Sequence, residues 1–351
     1  MTLSPLYLAL LRVYHYFPLH SPVTLWLVNG AWGRFSAKGG KEGWYLDGNK
    51  AWAVMEIVSP LTFITTVLFN CDVSGLSTGS KVAISMYLLH YSIRSIISPL
   101  ILAPQRAPQH ASVTLSAMGF NLMNGYIMGG WLAEDPGRGV GERFGGWSWV
   151  AVVGWAVGLA GNVYHDEILH SLRGRALIFD AVPSLRPNVP ADAPNTKVHI
   201  KQDDKEDNKT GGKVYEIPQG GLFYWVTFPN YLCEWFEWTC YAILTSPSFT
   251  LRSPAPAVLV SQAQKRQYPE FVVDLIRLLG RLPLPSFTTS NGLREQEALL
   301  LSPPWMFLVA LLAAMIPRAI NGQRWYEQTF GARWRGSGRE GGRWACLPGL
   351  L

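Results

Sequence analysis

Seven stretches of this chain are each long enough to cross a bilayer, about 20 residues, and carry at most two charges, which leaves few folds open to it. Residues 13–33, 111–133, 144–164 and 298–317 contain no Asp, Glu, Lys or Arg. Residues 51–71 hold only Glu56, residues 82–105 only Arg94, and residues 217–251 only Glu234 and Glu237. With 48% hydrophobic and 15% charged residues, the chain has few charges with which to solvate seven such helices in water. The expectation is an all-α, polytopic integral membrane protein with about seven transmembrane helices. Because the first charge is Arg12, the N-terminus lacks the basic leader of a signal peptide, and the first apolar run is read as a retained span.

Loop charges orient the bundle. The loops after the first, third and fifth stretches, together with the tail, hold about twice the Lys and Arg of the other loops, so the C-terminus, the 34–50 loop and the 166–216 loop are expected in the cytosol. This bias accounts for most of the net charge of +6 without a nucleic-acid partner. The four cysteines (Cys71, Cys233, Cys240, Cys346) have neither metal-ligand nor disulfide spacing and read as packing residues; no metal is expected.

The polar groups inside the apolar stretches are where chemistry is expected, because a carboxylate or guanidinium in hydrocarbon is costly unless it is used or paired. Glu56 either faces the bundle interior or snorkels to the interface. His90 and Arg94 share a helical face with Tyr91 turned from it by about 100°; Arg94 needs an anion, either Glu56, Glu234 or a phosphate. Asn162, Asp166 and Arg173 line up on one face as their helix leaves the membrane, which a merely solvated face would also produce. Asn121 and Asn124, among Gly119, Gly125, Gly129 and Gly130, read as close helix packing.

Three literal motifs carry no weight. The run 336–341 fits GxGxxG but follows no strand. The run 75–79 fits a nucleophile elbow but joins two helices. Asn208 fits a glycosylation acceptor but falls in a loop expected in the cytosol. Residues 201–213 (KQDDKEDNKTGGK) read as a disordered mixed-charge loop.

The stretch Tyr215-Glu216-Ile217-Pro218-Gln219-Gly220-Gly221-Leu222-Phe223, followed by Asn230-Tyr231-Leu232-Cys233-Glu234 and Glu237-Trp238, resembles the steroid 5α-reductase family (3-oxo-5α-steroid 4-dehydrogenases). His90-Tyr91 with Arg94, Asn124-Gly125, the row Asn162, Asp166 and Arg173, Arg318-Ala319, and Arg324-Trp325-Tyr326 extend the resemblance over most of the chain from Ala51 onward. It implies one membrane domain over residues 1–351, with N-terminal helices over 1–105, a C-terminal reductase-like region over 106–351, and irregular loops at 176–213 and 251–297. It further implies seven helices enclosing a cavity for NADPH and substrate, residence in the endoplasmic reticulum, and a monomer embedded among membrane lipids.

The activity implied is that of an oxidoreductase on CH–CH groups: NADPH-dependent reduction of a conjugated enone C=C in a 3-oxo-Δ4-steroid or similar lipid. Enoyl thioesters and polyprenals are the alternative substrates of related reductases, isoprenylcysteine methyltransferases share a similar architecture, and a non-catalytic membrane homologue is the alternative outside enzymes. By the resemblance, the catalytic pair that polarises the carbonyl falls on Glu56 and Tyr91. Cofactor binding falls on Arg94, Asn162, Asp166, Arg173, Asn230, Glu234, Arg318 and Tyr326. Glu237 is expected to be a structural partner, and the Pro-Gln-Gly-Gly turn to shape the cytosolic mouth.

Departures from the family pattern are also visible. Glu216 replaces a frequent basic residue, and an acid there would repel the 2′-phosphate that separates NADPH from NADH. Gly322 and Gln323 stand where histidines are common, and Met55 replaces a glutamine. The long 251–297 segment replaces a short link and reads as a membrane-surface excursion or non-native coding sequence.

Overall fold

The computed structural model describes residues 3–26, 44–133, 144–188, 197–200, 213–246, 248–283, 286–287, 297–335 and 343–349. Most of the 34–50 loop, residues 201–212 with Asn208, and the GxGxxG run lie outside the described residues.

The first apolar run is not one helix, a correction to the expected span over 13–33. Ser4 accepts the Tyr7 N–H at 3.1 Å and starts α1 (Pro5–Tyr14). The chain then tightens into a 3-10 turn at Phe17–Leu19 and resumes as α2 (His20–Trp26). Pro18, which has no N–H to give, breaks the ladder there. At ten residues α1 is about 15 Å long, half a bilayer.

A short strand β1 (Tyr45–Leu46) leads into α3 (Gly48–Asn70), whose N-cap Asp47 accepts the Asn49 and Lys50 N–H groups at 3.0 and 2.9 Å. Two of the three N-terminal donors after the cap are thereby satisfied. The next helix, α4 (Thr78–Ser92), is capped by Ser77, which accepts the Ser80 N–H at 3.1 Å; this serine is a cap, not a nucleophile. From Ile93 to Leu102 the same helix widens to π winding, and the Ala103 N–H reaches back five residues to the Ser98 carbonyl at 2.8 Å. Pro99 lies inside this turn, and its ring crowds the carbonyl four residues back, which wider winding relieves.

Strand β2 (Gln109–His110) pairs antiparallel with β1. The charge-free α5 (Ala111–Ala133) then runs parallel to α3, with α4 returning between them in sequence. Asn121 Nδ2 donates to the Met55 carbonyl at 2.7 Å. A Cβ on Gly125 would sit 2.4 Å from the Ser59 carbonyl oxygen and one on Gly129 2.7 Å from that of Phe63, so these glycines let the two backbones touch. Gly119 has open space, so the packing reading does not extend to it.

Helix α6 (Gly146–Ser171) is followed by the short α7 (Leu177–Ala181) and by an antiparallel pair, β3 (Lys197–Ile200) and β4 (Lys213–Glu216). The loop expected to be irregular over 176–213 therefore contains an ordered ladder. Residues 217–251 contribute a shorter helix than expected, α8 (Pro229–Thr245), after a 3-10 turn at Gly221–Tyr224. It packs antiparallel on α6, where Gly154, Gly158 and Gly161 abut Cys240, Glu237 and Cys233.

The expectation of an irregular loop over 251–297 is overturned in its described part. Strand β5 (Thr250–Ser253) leads to a helical hairpin of α9 (Pro256–Lys265) and α10 (Glu270–Gly280). Strands β6 (Ser286–Phe287) and β7 (Glu297–Leu301) complete a sheet of order β5-β7-β6. Leu259, Ala263, Val273, Ile276 and Leu300 are buried in the main core. Arg12 fastens the hairpin to α1: Nη1 donates to the Gly280 carbonyl and Nη2 to that of Pro254, both at 2.8 Å. The spacing that hid these helices is the absence of long charge-free runs; each is held by tertiary packing rather than by its own length.

The last long helix, α11 (Pro303–Phe330), is followed by α12 (Ala332–Arg335). Among the described residues, α3, α6 and α11 are long and apolar enough to cross a membrane. Val54, Leu61 and Leu68 on α3 and Val150, Val153 and Val157 on α6 are exposed, which suits lipid and not water. Asn, Ser and Thr lower the hydropathy of α5 although it has 23 residues and no charge.

Candidate active site

Four helices bring their intramembrane polar groups to one place. Arg94, on the π turn after α4, extends Nε to within 3.4 Å of Glu56 Oε1 from α3 and Nη1 to within 3.2 Å of Glu234 Oε2 from α8. Asn162 on α6 donates Nδ2 to the same Glu234 oxygen at 3.1 Å. The guanidinium also lies over the Trp52 ring, 5.3 Å from its centroid. Of the anions open to Arg94 from sequence, it meets both carboxylates, and Glu56 is buried rather than snorkelling. One cation shared by two buried carboxylates leaves an excess negative charge if both are ionised, so the cluster has room for a proton or a further cation.

Tyr91 belongs to a second network that touches the first. Asn124 Nδ2 approaches the Tyr91 hydroxyl at 3.2 Å, that of Tyr87 at 3.1 Å and Ser59 Oγ at 3.4 Å, while its Oδ1 accepts the Tyr14 O–H at 2.9 Å. Asn124 has two protons for three acceptors, so the donation is shared. The two members of the implied catalytic pair thus have different partners here: Glu56 turns to Arg94, and Tyr91 to Asn124. An oxygen that accepts from Asn124 keeps its own proton to donate.

Beneath Tyr91, His90 Nδ1 lies 2.7 Å from Glu237 Oε1, and both groups are buried. Glu237 therefore has the structural partner that the sequence reading expects. One turn further along the α6–α8 seam, Asn230 Nδ2 donates to Asp166 Oδ1 at 3.0 Å. Asn230 Oδ1 is buried there with no hydrogen-bond partner among the described residues.

The remaining expected cofactor residues lie just after α6 and on α11. Arg173 is exposed beyond the end of α6. Arg318, half-buried on α11, lies against Tyr231. Tyr326 stacks on Trp334, centroids 4.3 Å apart.

The Pro218-Gln219-Gly220-Gly221 turn is fixed from two sides. His165 Nδ1 lies 2.6 Å from the Gly161 carbonyl and so carries the proton, leaving Nε2 to accept the Leu222 N–H at 3.0 Å. Gly220 and Gly221 have φ of +96° and +51°; a Cβ on the first would lie 2.4 Å from Pro187 Cβ and on the second 2.7 Å from His165 Nε2. Only glycine satisfies both the backbone and the space. From the other side, the tail lays Trp344 and Ala345 along Trp225–Phe228, with Thr227 N–H donating to the Trp344 carbonyl at 2.8 Å. Arg343 donates to the Pro218 carbonyl at 3.1 Å and stands over Trp334; burial pushes its guanidinium down to about 10. Burial likewise pushes the Cys346 thiol up to about 12, which keeps it protonated and a packing residue.

Two departures from the family pattern acquire a physical reason. A Cβ on Gly322 would lie 2.3 Å from Phe228 Cζ, so a histidine there requires the Phe228 ring to move. Gln323 instead donates to the Arg343 carbonyl at 2.8 Å and pairs with Thr227, serving the tail. Met55 Sδ accepts from Gln109 Nε2 at 3.3 Å, so an amide does reach this position, supplied by β2.

Fold and site together define a helical membrane protein with a buried ionisable centre at the meeting of four helices. A family model described as 3-oxo-5-alpha-steroid 4-dehydrogenase matches residues 194–266. The chain is 34% identical to an uncharacterized protein of Schizosaccharomyces pombe, covering 58% of this chain and 70% of that one. It is 30% identical to the steroid 5-alpha-reductase DET2 of Gossypium hirsutum over 56% of this chain and 63% of the relative. With 3-oxo-5-alpha-steroid 4-dehydrogenase 1 of Bos taurus the identity is 24%, over 63% and 72%. The chain belongs to the steroid 5-alpha-reductase family. The match to the plant enzyme spans less than two thirds of that enzyme's length.

Proposed function

We propose that the protein is a membrane-bound, NADPH-dependent reductase of a conjugated enone, acting on a 3-oxo-Δ4-steroid. The observation that carries this reading is Arg94 held between Glu56 and Glu234, with Tyr91 on the next network. Relatives named steroid 5-alpha-reductase and 3-oxo-5-alpha-steroid 4-dehydrogenase support the same class. In this reading about seven helices cross the membrane of the endoplasmic reticulum, with the Asp166–Asn230 end and the C-terminus in the cytosol.

NADPH, when bound, supplies the hydride that the β-carbon of the enone receives. The residues present fit it. Asn230 Oδ1 is a buried acceptor with no partner among the described residues, suited to an amide or hydroxyl donor. Asn162 and Glu234 present an amide and a carboxylate beside it, and Arg94, Arg173 and Arg318 supply cations for phosphate. Glu216, at the end of β4, is an acid that would repel a 2′-phosphate brought close to it.

Tyr91 acts on the substrate. As the β-carbon is reduced, negative charge grows on the ketone oxygen, and a phenolic O–H aimed at it lowers the barrier. Asn124 steadies that oxygen by donating to it, while Arg94 holds Glu56 in the neighbouring cluster. The apolar walls exclude water, which strengthens each of these contacts.

The test is the purified protein in nanodiscs with NADPH and a Δ4-3-ketosteroid. Loss of reduced-nicotinamide absorbance together with a 5α-reduced product is the expected outcome. No turnover with a steroid, an enoyl thioester or a polyprenal would reject the reading.

A further inference from the structure

The α9–α10 hairpin has two apolar faces, and the core uses only one. Val273, Ile276 and Gly280 turn inward against α1 and α9. Phe271, Leu275 and Leu278 recur at i, i+4 and i+7 on the opposite side, with exposures of 73%, 38% and 67%. No described residue covers this stripe. Glu270, Asp274, Arg277 and Arg281 line one flank between the two faces, the arrangement of a helix lying at an apolar–polar boundary.

Length excludes a span. Eleven residues make about 16 Å of helix, against about 30 Å of hydrocarbon. Position supplies the occupant. The hairpin departs from the C-terminal end of α8, where Trp131 Nε1 donates to the Thr245 carbonyl and Trp305 Nε1 to that of Ser246, each at 3.1 Å. Phe249, 60% exposed, packs tilted against Trp305 with centroids 4.2 Å apart. Trp131 is buried, but the exposed Phe249 ring and the half-buried Trp305 indole at this helix end mark the level of a membrane–water boundary.

We propose that α10 lies in the plane of the membrane and docks on the phospholipid surface. Phe271, Leu275 and Leu278 enter the acyl boundary, while Arg277 and Arg281 remain at the level of the lipid phosphates. The surface is the one at the α8 C-terminal end, opposite the Asp166–Asn230 end. Arg12 ties the docked hairpin to α1 through Gly280 and Pro254, so the bilayer grips this end of the core through a segment that is not itself a span.

The experiment uses the full chain in vesicles of phosphatidylcholine with phosphatidylserine. In a Cys71→Ser background, single nitroxide labels are placed by Phe271→Cys, Leu275→Cys, Leu278→Cys and Asp274→Cys, with Asp72→Cys as the aqueous reference. Collisions with oxygen, which partitions into lipid, are compared with those of a water-soluble nickel chelate. The expected result is an oxygen-to-nickel ratio several-fold higher at 271, 275 and 278 than at 274 or 72. Nickel accessibility equal to the reference at the stripe overturns the proposal. Shielding from both reagents also overturns it, because it places a protein partner or a second copy there. If one variant fails to fold, the other two positions on the stripe give the same reading.

Discussion

His90 Nδ1 lies 2.7 Å from Glu237 Oε1, in a site where both side chains are almost wholly buried. This contact joins α4 to α8 directly below Tyr91, whose ring meets that of His90 edge-on at 5.1 Å. Removing one member leaves the other buried alone. Glu237→Ala is therefore expected to destabilise the protein by about 3 kcal/mol, measured by unfolding in detergent, while Glu237→Gln loses less because it keeps the hydrogen bond.

Tyr91→Phe removes a hydroxyl proposed to meet the substrate and leaves the Arg94 cluster in place. Its kcat should fall about 100-fold, as for loss of one oxyanion donor, with the NADPH-induced thermal shift unchanged. An equal fall in the thermal shift would place Tyr91 in cofactor binding instead.

Glu234→Ala separates the two roles from the other side. It withdraws the acceptor of both Arg94 and Asn162, so stabilisation by NADPH should be lost. The calorimetric or thermal-shift response to cofactor alone reads this, without substrate.

Gly125→Val tests the contact of α3 with α5. Its added carbons would meet the Ser59 carbonyl and Thr62, and the overpacking should cost about 2 kcal/mol in unfolding free energy. Gly119→Val, facing open space on the same helix, should cost markedly less.

Asp47 predicts a pH dependence outside the membrane. The Lys50 N–H, then the Gln105 amide, hold its carboxyl below the usual carboxylate range. A depressed folded-state value means that its contribution is present above the unfolded value, about 4, and is lost as pH falls through the folded one. Asp47→Ala should cost about 1 kcal/mol at neutral pH and less once the wild-type carboxyl is protonated and caps only as a neutral acceptor, as read from unfolding at the two pH values.

Several features were legible because they depend on residue type at fixed spacing. Charges inside apolar runs named Glu56, Arg94 and Glu234, and a carboxylate in hydrocarbon has few alternatives to meeting a cation. The hydropathy pattern could not separate α1 from α2, since Pro18 interrupts hydrogen bonding without adding charge. The hairpin of α9 and α10 was missed because short helices acquire their stability from contacts distant in sequence, such as Arg12 with Gly280. Asn124 was read as packing. Its hub role among Tyr14, Tyr87 and Tyr91 needs three helices in register, although a second asparagine in a charge-free run was a signal that desolvated amides were being satisfied. The π winding at Arg94 had one sequence mark, Pro99, which also suits an ordinary kink.

The charges that meet at Arg94 come from three segments made at different times: Glu56 early, Arg94 next, and Glu234 much later. Until α8 arrives, the guanidinium has one of its two anions, and α8 itself reaches the bilayer carrying an unmatched carboxylate. Each half-assembled intermediate therefore exposes to lipid a polar group whose partners only the finished bundle supplies.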